Sequence, residues 1–306
     1  MRIPIVNRKG GVAKTTTAIN LGAALAQAAE LGIAARDYTT LIVDMDPQAS
    51  ATFTLACPGA ERGPNLGDVL LHGVCADEAI HPTTTPNLFL IGACGALGDE
   101  SIADRFARTD GFRTVLRDAL ARLETPVDII LLDCPPATGL PMTLAMVAGQ
   151  QFIVPTKLER LSLRGTGQLF GFLERLISLR SASGDPVADL MGILLTDVNY
   201  QFHDAVERET ALRRDYGSAV FETVIRRNVA VERAQTQLRT VFQDDPRLRT
   251  SGAQGYRDLA AEVLLRGAAV GRVDPAMLSR EVQLRGRRLG LLDRPSAGSA
   301  ASAHPD

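Results

Sequence analysis

Short apolar runs recur along the chain, each closing on a carboxylate, a proline or a glycine, and between several of them apolar positions return at helical spacing. Ile5 and Val6 lead through a glycine pair into residues 18–26, which reads as strand, loop, helix. Residues 39–44 form a β-branched run stopped by Asp46 and Pro47, and residues 87–92, 127–133, 151–156, 190–197 and 220–225 repeat the strand-like pattern. Helices are predicted over 66–71, 106–123, 161–179, 205–215 and 255–265; in the second, Phe112, Val115, Leu116, Ala119, Leu120 and Leu123 share one side. Strands alternating with helices predict an α/β fold, a doubly wound and mainly parallel sheet with helices on both faces and its site at the carboxyl ends of the strands. This pattern spans residues 1–266 as one domain. Residues 267–306 form a C-terminal extension: a basic amphipathic stretch over 277–292, interrupted by Gly286 and Gly290, and then a Ser/Ala/Gly/Pro-rich tail from residue 295, expected to be disordered.

Composition narrows the classes. The 306 residues are 45% hydrophobic and 22% charged, ordinary for a globular protein with a sizeable core. A net charge of −2 exerts no global pull on nucleic acid, so any such contact must come from a local patch. Cys57, Cys75, Cys94 and Cys134 lie far apart, without metal-ligand spacing or a disulfide framework, which suits a reducing compartment. His72 and His81 have no second ligand at turn or helical spacing. No apolar run approaches a membrane span, and the first strand begins at once, leaving no room for a signal peptide, so a cytoplasmic protein is expected.

The chemistry concentrates at Arg8-Lys9-Gly10-Gly11-Val12-Ala13-Lys14-Thr15-Thr16-Thr17. Glycines at a strand-to-helix turn let backbone N–H groups converge on an anion, the helix N-terminus adds its positive end, and Lys14 supplies a point charge for the outer phosphates. The hydroxyl after that lysine, Thr15, is where a phosphate-bound Mg²⁺ takes a ligand. The chain holds three lysines, Lys9, Lys14 and Lys157, among 33 basic residues, and two of them fall in this loop. A compact ammonium fits beside a bridging phosphate oxygen where a planar guanidinium does not. Two further strand ends carry acids: Asp44-Met45-Asp46-Pro47-Gln48, and Asp133 before Cys134-Pro135-Pro136, the arrangement of a strand whose Asp binds Mg²⁺ directly or through water.

The order Lys-Gly-Gly-x-x-Lys-Thr, Asp-x-Asp-Pro-Gln and Asp-x-Pro-Pro over residues 1–266 resembles the ParA/MinD family of deviant Walker A P-loop ATPases, and within it the ParA/Soj partition branch. Val224-Ile225-Arg226-Arg227-Asn228 also matches that branch better than MinD, although ParA proteins commonly read Ile-Pro-Arg-Asn there. The resemblance implies an ATPase that hydrolyses ATP to ADP and phosphate, with Mg²⁺. It implies that Lys9, Gly10, Gly11, Val12, Ala13, Lys14, Thr15 and Thr16 hold the nucleotide, that Asp197 and Asn199 lie near its base, and that Thr15, Asp46 and Asp133 serve the metal. Lys9, Lys14 and Asp46 are the implied catalytic residues: Lys9 reaches across an ATP-bound homodimer, Asp46 places the attacking water, and Asp44 supports the metal region. It further implies nonspecific binding to double-stranded DNA, a ParB-like centromere-binding partner and a nucleoid-associated location. Arg226, Arg227, Arg233, Arg239, Arg247 and Arg249, against Glu232, Asp244 and Asp245, are the candidate DNA contacts. Three rivals share the pattern: a MinD-like positioning ATPase holding a membrane through Arg280, Arg285, Arg287 and Arg288 around Leu284, Leu289, Leu291 and Leu292; a relative of the nitrogenase iron protein, bridging a cluster through cysteines such as Cys94 and Cys134; and a noncatalytic, nucleotide-gated scaffold.

Overall fold

A computed structural model of the chain describes residues 1–55, 63–99, 102, 111–136, 139–158, 171, 174, 187–202 and 204–292. The helix predicted over 161–179, apart from residues 171 and 174, the first residues of the one over 106–123, and the tail from 295 lie outside the described residues.

Eight strands form one sheet: β1 (Arg2–Ile5), β2 (Thr40–Asp44), β3 (His81–Pro82), β4 (Leu88–Ile91), β5 (Ile129–Asp133), β6 (Gln151–Thr156), β7 (Asp189–Val198) and β8 (Val220–Arg226). Their order is β3-β4-β2-β5-β1-β6-β7-β8, parallel throughout except for the short β3 at one edge. Every residue of β2, β5 and β6 is buried, as expected of strands covered on both faces. Ile42, Ile129 and Leu131 face a cluster built with helices α1 (Lys14–Ala26) and α9 (Ser251–Ala269), while Leu41, Val43, Ile130 and Leu132 face one built with α4 (Val115–Ala121) and α5 (Leu140–Ala148). The remaining helices are α2 (Ser50–Leu55), α3 (Leu66–His72), α6 (Ala205–Tyr216), α7 (Val229–Thr236), α8 (Val241–Asp244) and α10 (Arg280–Arg288).

Strand order creates the site. The chain leaves β1 for β2 on one side, returns to β5 beside β1, then crosses to β6 on the other side, so a crevice opens at the carboxyl end of β1. In register, Ile5 lies opposite Asp133 and Asp133 opposite Asp44, which sets both carboxylates level with the start of the loop.

Three elements differ from the periodicity. The predicted 106–123 helix is, where described, a 3₁₀ turn over Phe112–Thr114 and then α4, because Gly111 takes a left-handed φ of 78° immediately before it. Helix α5 has no polar side to reveal a helical period, since seven of its nine residues are buried, and Pro141 fits its first turn, where no N–H is required. The amphipathic stretch over 277–292 condenses into α10. Leu278 and Val282 join the main core, Leu291 and Leu292 pack partly against it, and Gly286 sits so close to Leu265 that a Cβ there would lie 2.5 Å from its Cδ2. Of the leucines that a membrane would take up, Leu291 and Leu292 are thus partly covered by the core, while Leu284 and Leu289 stay exposed as single side chains. Among the described residues no helix is long and apolar enough to cross a membrane.

Candidate functional site

The loop after β1 is braced from two neighbouring strands. The Asn7 amide donates to the Pro155 carbonyl at 2.8 Å, its Oδ1 accepts the Lys9 N–H at 3.0 Å, and the Thr196 hydroxyl donates to the Val12 carbonyl at 3.1 Å. Gly11 adopts φ 71° and Ala13 φ 63°; for the alanine this left-handed backbone costs about 1–2 kcal/mol. No side chain caps α1, whose first N–H groups are left for an anion. A Cβ at Gly10 or Gly11 would meet nothing within 4 Å, so the loop is an open cradle on that side.

Lys14 is buried and folds back so that its Nζ donates to the Lys9 carbonyl at 3.2 Å. Burial lowers its pKa, and the Asp133 charge opposes that shift. Asp133 is fully buried, and neither of its oxygens has a partner at hydrogen-bonding geometry among the described residues. Burial first and the Asp44 carboxyl second push its pKa well up, with the Thr15 hydroxyl and Lys14 pulling the other way. A starved carboxylate beside a hydroxyl and an ammonium fits a divalent cation. Among the described residues no three His, Cys, Asp or Glu side chains form a metal cage, so a cation here would complete its shell with phosphate oxygens and water, as Mg²⁺ does.

Asp44 behaves differently. Its Oδ2 accepts the Thr52 N–H and hydroxyl, both at 2.8 Å, and its Oδ1 accepts the Asp46 N–H at 3.1 Å; burial still raises its pKa to about 6. This carboxylate is spent on holding α2 and the turn that presents Asp46. The Asp46 carboxylate accepts the Gln48 N–H at 3.0 Å and borders the cavity.

That cavity, about 390 Å³, is walled by Gly10, Gly11, Ala13, Lys14, Thr15, Thr16 and Asp46 on one side. Lys157, Asp197, Arg226, Arg227, Asn228 and Tyr256 stand on the other. Lys9 is half-buried in the loop without contributing to this wall, and the Val12 side chain points into the interior. Asp197, at φ 53°, binds the Lys157 ammonium at 2.6 Å and faces the Arg227 Nε at 3.8 Å. Asn199 instead lines an adjoining cavity of about 320 Å³ behind Asp197, and its Oδ1 accepts the Gln201 N–H. Cys134 is a core residue whose thiol burial pushes up, and neither it nor Cys94 borders the loop cavity.

The six candidate arginines separate. Arg226 and Arg227 belong to the cavity wall, the first lying over the Tyr200 ring at 5.3 Å and the second paired with Asp197 and Glu232. Arg233 is bound to Asp244 at 2.5 Å and Arg249 sits beside Asp245, whereas Arg239 and Arg247 are exposed without an ion-pair partner among the described residues. Sequence reading missed Lys157 as a wall residue and Thr52 as the anchor of Asp44. The scarcity of lysine was the available signal for the first; nothing in the local pattern marks the second.

A family model described as an AAA domain matches residues 1–182. The sporulation initiation inhibitor protein Soj of Bacillus subtilis is 33% identical, covering 87% of this chain and 98% of its own. The chromosome-partitioning ATPase Soj of Thermus thermophilus is 37% identical, covering 87% of this chain and 96% of its own. Among solved structures, cobyrinic acid a,c-diamide synthase from Mycobacterium smegmatis with bound ADP and magnesium superposes with a TM-score of 0.69 at 28% identity, over 89% of this chain and 97% of that one.

Proposed function

The chain belongs to the ParA/Soj family of partition ATPases, and from that premise we propose that it hydrolyses ATP with Mg²⁺ to drive DNA partition. In this reading it dimerises on ATP, binds double-stranded DNA without sequence preference, and is switched by a ParB-like partner in the cytoplasm, on the nucleoid. The observation that carries the reading is Asp133: a fully buried carboxylate with no hydrogen-bond partner, in register with β1 and beside Lys14, at the mouth of an uncapped helix.

The triphosphate lies against the Gly10–Gly11 turn, with its outer oxygens on the first N–H groups of α1 and on Lys14. Bound Mg²⁺, held through the Thr15 hydroxyl and the Asp133 carboxylate with Asp46 nearby, would supply positive charge to the phosphate oxygens. Asp46, held out from the core by the Asp44 bond to its N–H, orients the water that attacks the γ-phosphorus; the bond to the bridging oxygen breaks, and Lys14 offsets the charge left on ADP. Lys9 lies outside its own subunit's cavity wall and is assigned to the nucleotide of the second copy, which makes turnover depend on dimerisation.

Lys9→Ala is expected to keep ATP affinity within a few-fold while phosphate release disappears, and Asp46→Ala to accumulate as an ATP-locked dimer on size exclusion. Full phosphate release by Lys9→Ala overturns the role in trans, and a protein that ignores ATP overturns the function as a whole.

A further inference from the structure

The extension is firmly seated on the core. Ser279 donates its N–H to Ile33 and Ala35 its N–H to Met277, the Arg257 guanidinium holds Glu281 at 3.5 Å, and the Arg285 guanidinium reaches Glu262 at 3.2 Å and the Thr223 hydroxyl at 2.9 Å. With Leu278, Val282 and Gly286 turned inward, helix geometry puts Arg280, Leu284, Arg287 and Arg288 on the opposite side, at i, i+4, i+7 and i+8. All four are exposed, and none of the three guanidinium groups has a hydrogen-bond or ion-pair partner among the described residues. Glu281, the acid nearest in sequence, is drawn to Arg257. The result is a rigid, unneutralised basic stripe about 11–12 Å long.

We propose that this outer stripe of α10, through Arg280, Arg287 and Arg288, is a docking surface for the phosphate backbone of double-stranded DNA. The choice of polyanion rests on the partition reading above; the surface itself follows from the packing. Guanidinium groups form paired, charge-assisted hydrogen bonds to phosphates, and a stripe of this length passes several phosphates of a duplex. A membrane surface fits less well, because interfacial binding requires a continuous apolar face, and that of α10 is already in the core, leaving Leu284 and Leu289 as isolated exposed side chains. Arg287 and Arg288 also favour the carboxyl end of their helix, a role in stability that the experiment must separate from binding.

The test uses full-length protein with ATP and Mg²⁺ and a random-sequence duplex across a salt series, comparing wild type with R280Q/R287Q/R288Q, the lysine-substituted triple R280K/R287K/R288K and R239Q/R247Q. Loss of three phosphate contacts is expected to weaken binding at least about tenfold near ~0.1 M salt and to flatten the slope of log affinity against log salt by about 3, with the lysine triple retaining most binding. Unchanged ATP affinity and thermal midpoint in the glutamine triple exclude a folding defect, and the lysine triple provides the same comparison with charge preserved. Equal DNA affinity and slope in wild type and the glutamine triple overturn the inference. So does a loss confined to R239Q/R247Q, or to phosphatidylserine vesicles. If wild type binds no DNA at any salt, the partition reading falls and takes this surface with it; if wild type binds and the glutamine triple matches it, only the surface is wrong.

Discussion

Among the completely buried carboxylates of the described residues, Glu262 and Asp133 live opposite lives. Glu262, in the middle of α9, accepts six hydrogen bonds: from the N–H groups of Glu222 and Thr223, from the Thr223 hydroxyl, twice from Arg266 and once from Arg285. Arg266 in turn lies over Phe221 and donates to the carbonyls of Met191, Ser218 and Val220. Together they occupy polar groups along β8, the last strand of the sheet, where an uncovered edge would invite pairing with another chain. Asp133, at the end of a central strand, accepts none. Since an unsatisfied buried charge costs folding energy, its persistence marks a position kept for a ligand, whereas saturation marks a position kept for architecture.

The strongest way to break this contrast is Glu262→Ala, which strands Arg266 and Arg285 and should cost about 3–5 kcal/mol, read as a lowered urea midpoint. A loss below about 1 kcal/mol would mean that the cluster is decoration.

Asp133→Asn should do the reverse in nucleotide-free protein, raising stability at neutral pH by about 1–3 kcal/mol by removing an unpaired buried charge, while phosphate release with ATP and Mg²⁺ collapses. The sign with pH follows from the raised pKa. A carboxyl whose folded pKa lies above its unfolded value contributes fully below the unfolded value and loses that contribution as pH rises through the folded one. Asp133 is raised well above the ordinary range and Asp44 to about 6, so the advantage of Asp133→Asn should widen from pH 5 to pH 7.5 and shrink when Mg²⁺ and ATP are bound. An advantage independent of pH would show that Asp133 titrates alike in the folded and unfolded protein.

The smallest effect sharpens the middle of the scale. Asp128 is partly exposed and takes a two-pronged bond from Arg36, both contacts at 2.8 Å, with the Thr39 N–H at 2.9 Å. Arg36→Ala should cost only about 0.5–1 kcal/mol, because water already screens the pair. Asp128 is held below the usual carboxylate range chiefly by that guanidinium, so its contribution is present above the unfolded value and lost as pH falls through the folded one, opposite in sign to Asp133.

How far the chain could be read without its fold depends on the range of the interactions involved. Strands β2, β5, β6, β7 and β8 lie close to their apolar runs, and the loop from Lys9 to Thr16 could be identified because turn chemistry and helix initiation act over a few neighbouring residues. The carboxylates at strand ends were visible for the same reason. Strand order was not: only the insertion of β5 between β1 and β2 carries Asp133 to the loop, across more than a hundred residues of chain. Nor could spacing reveal that Asp44 turns toward Thr52, that Arg226 and Arg227 face the cavity, or that the extension folds its apolar side onto α9 and leaves a basic stripe outside. The sequence alone determined where most of the strands and the phosphate-binding turn lie and which groups are able to hold a phosphate. Tertiary structure decided which of those groups meet and which are neutralised, because burial and charge pairing depend on neighbours brought together by packing rather than by succession along the chain.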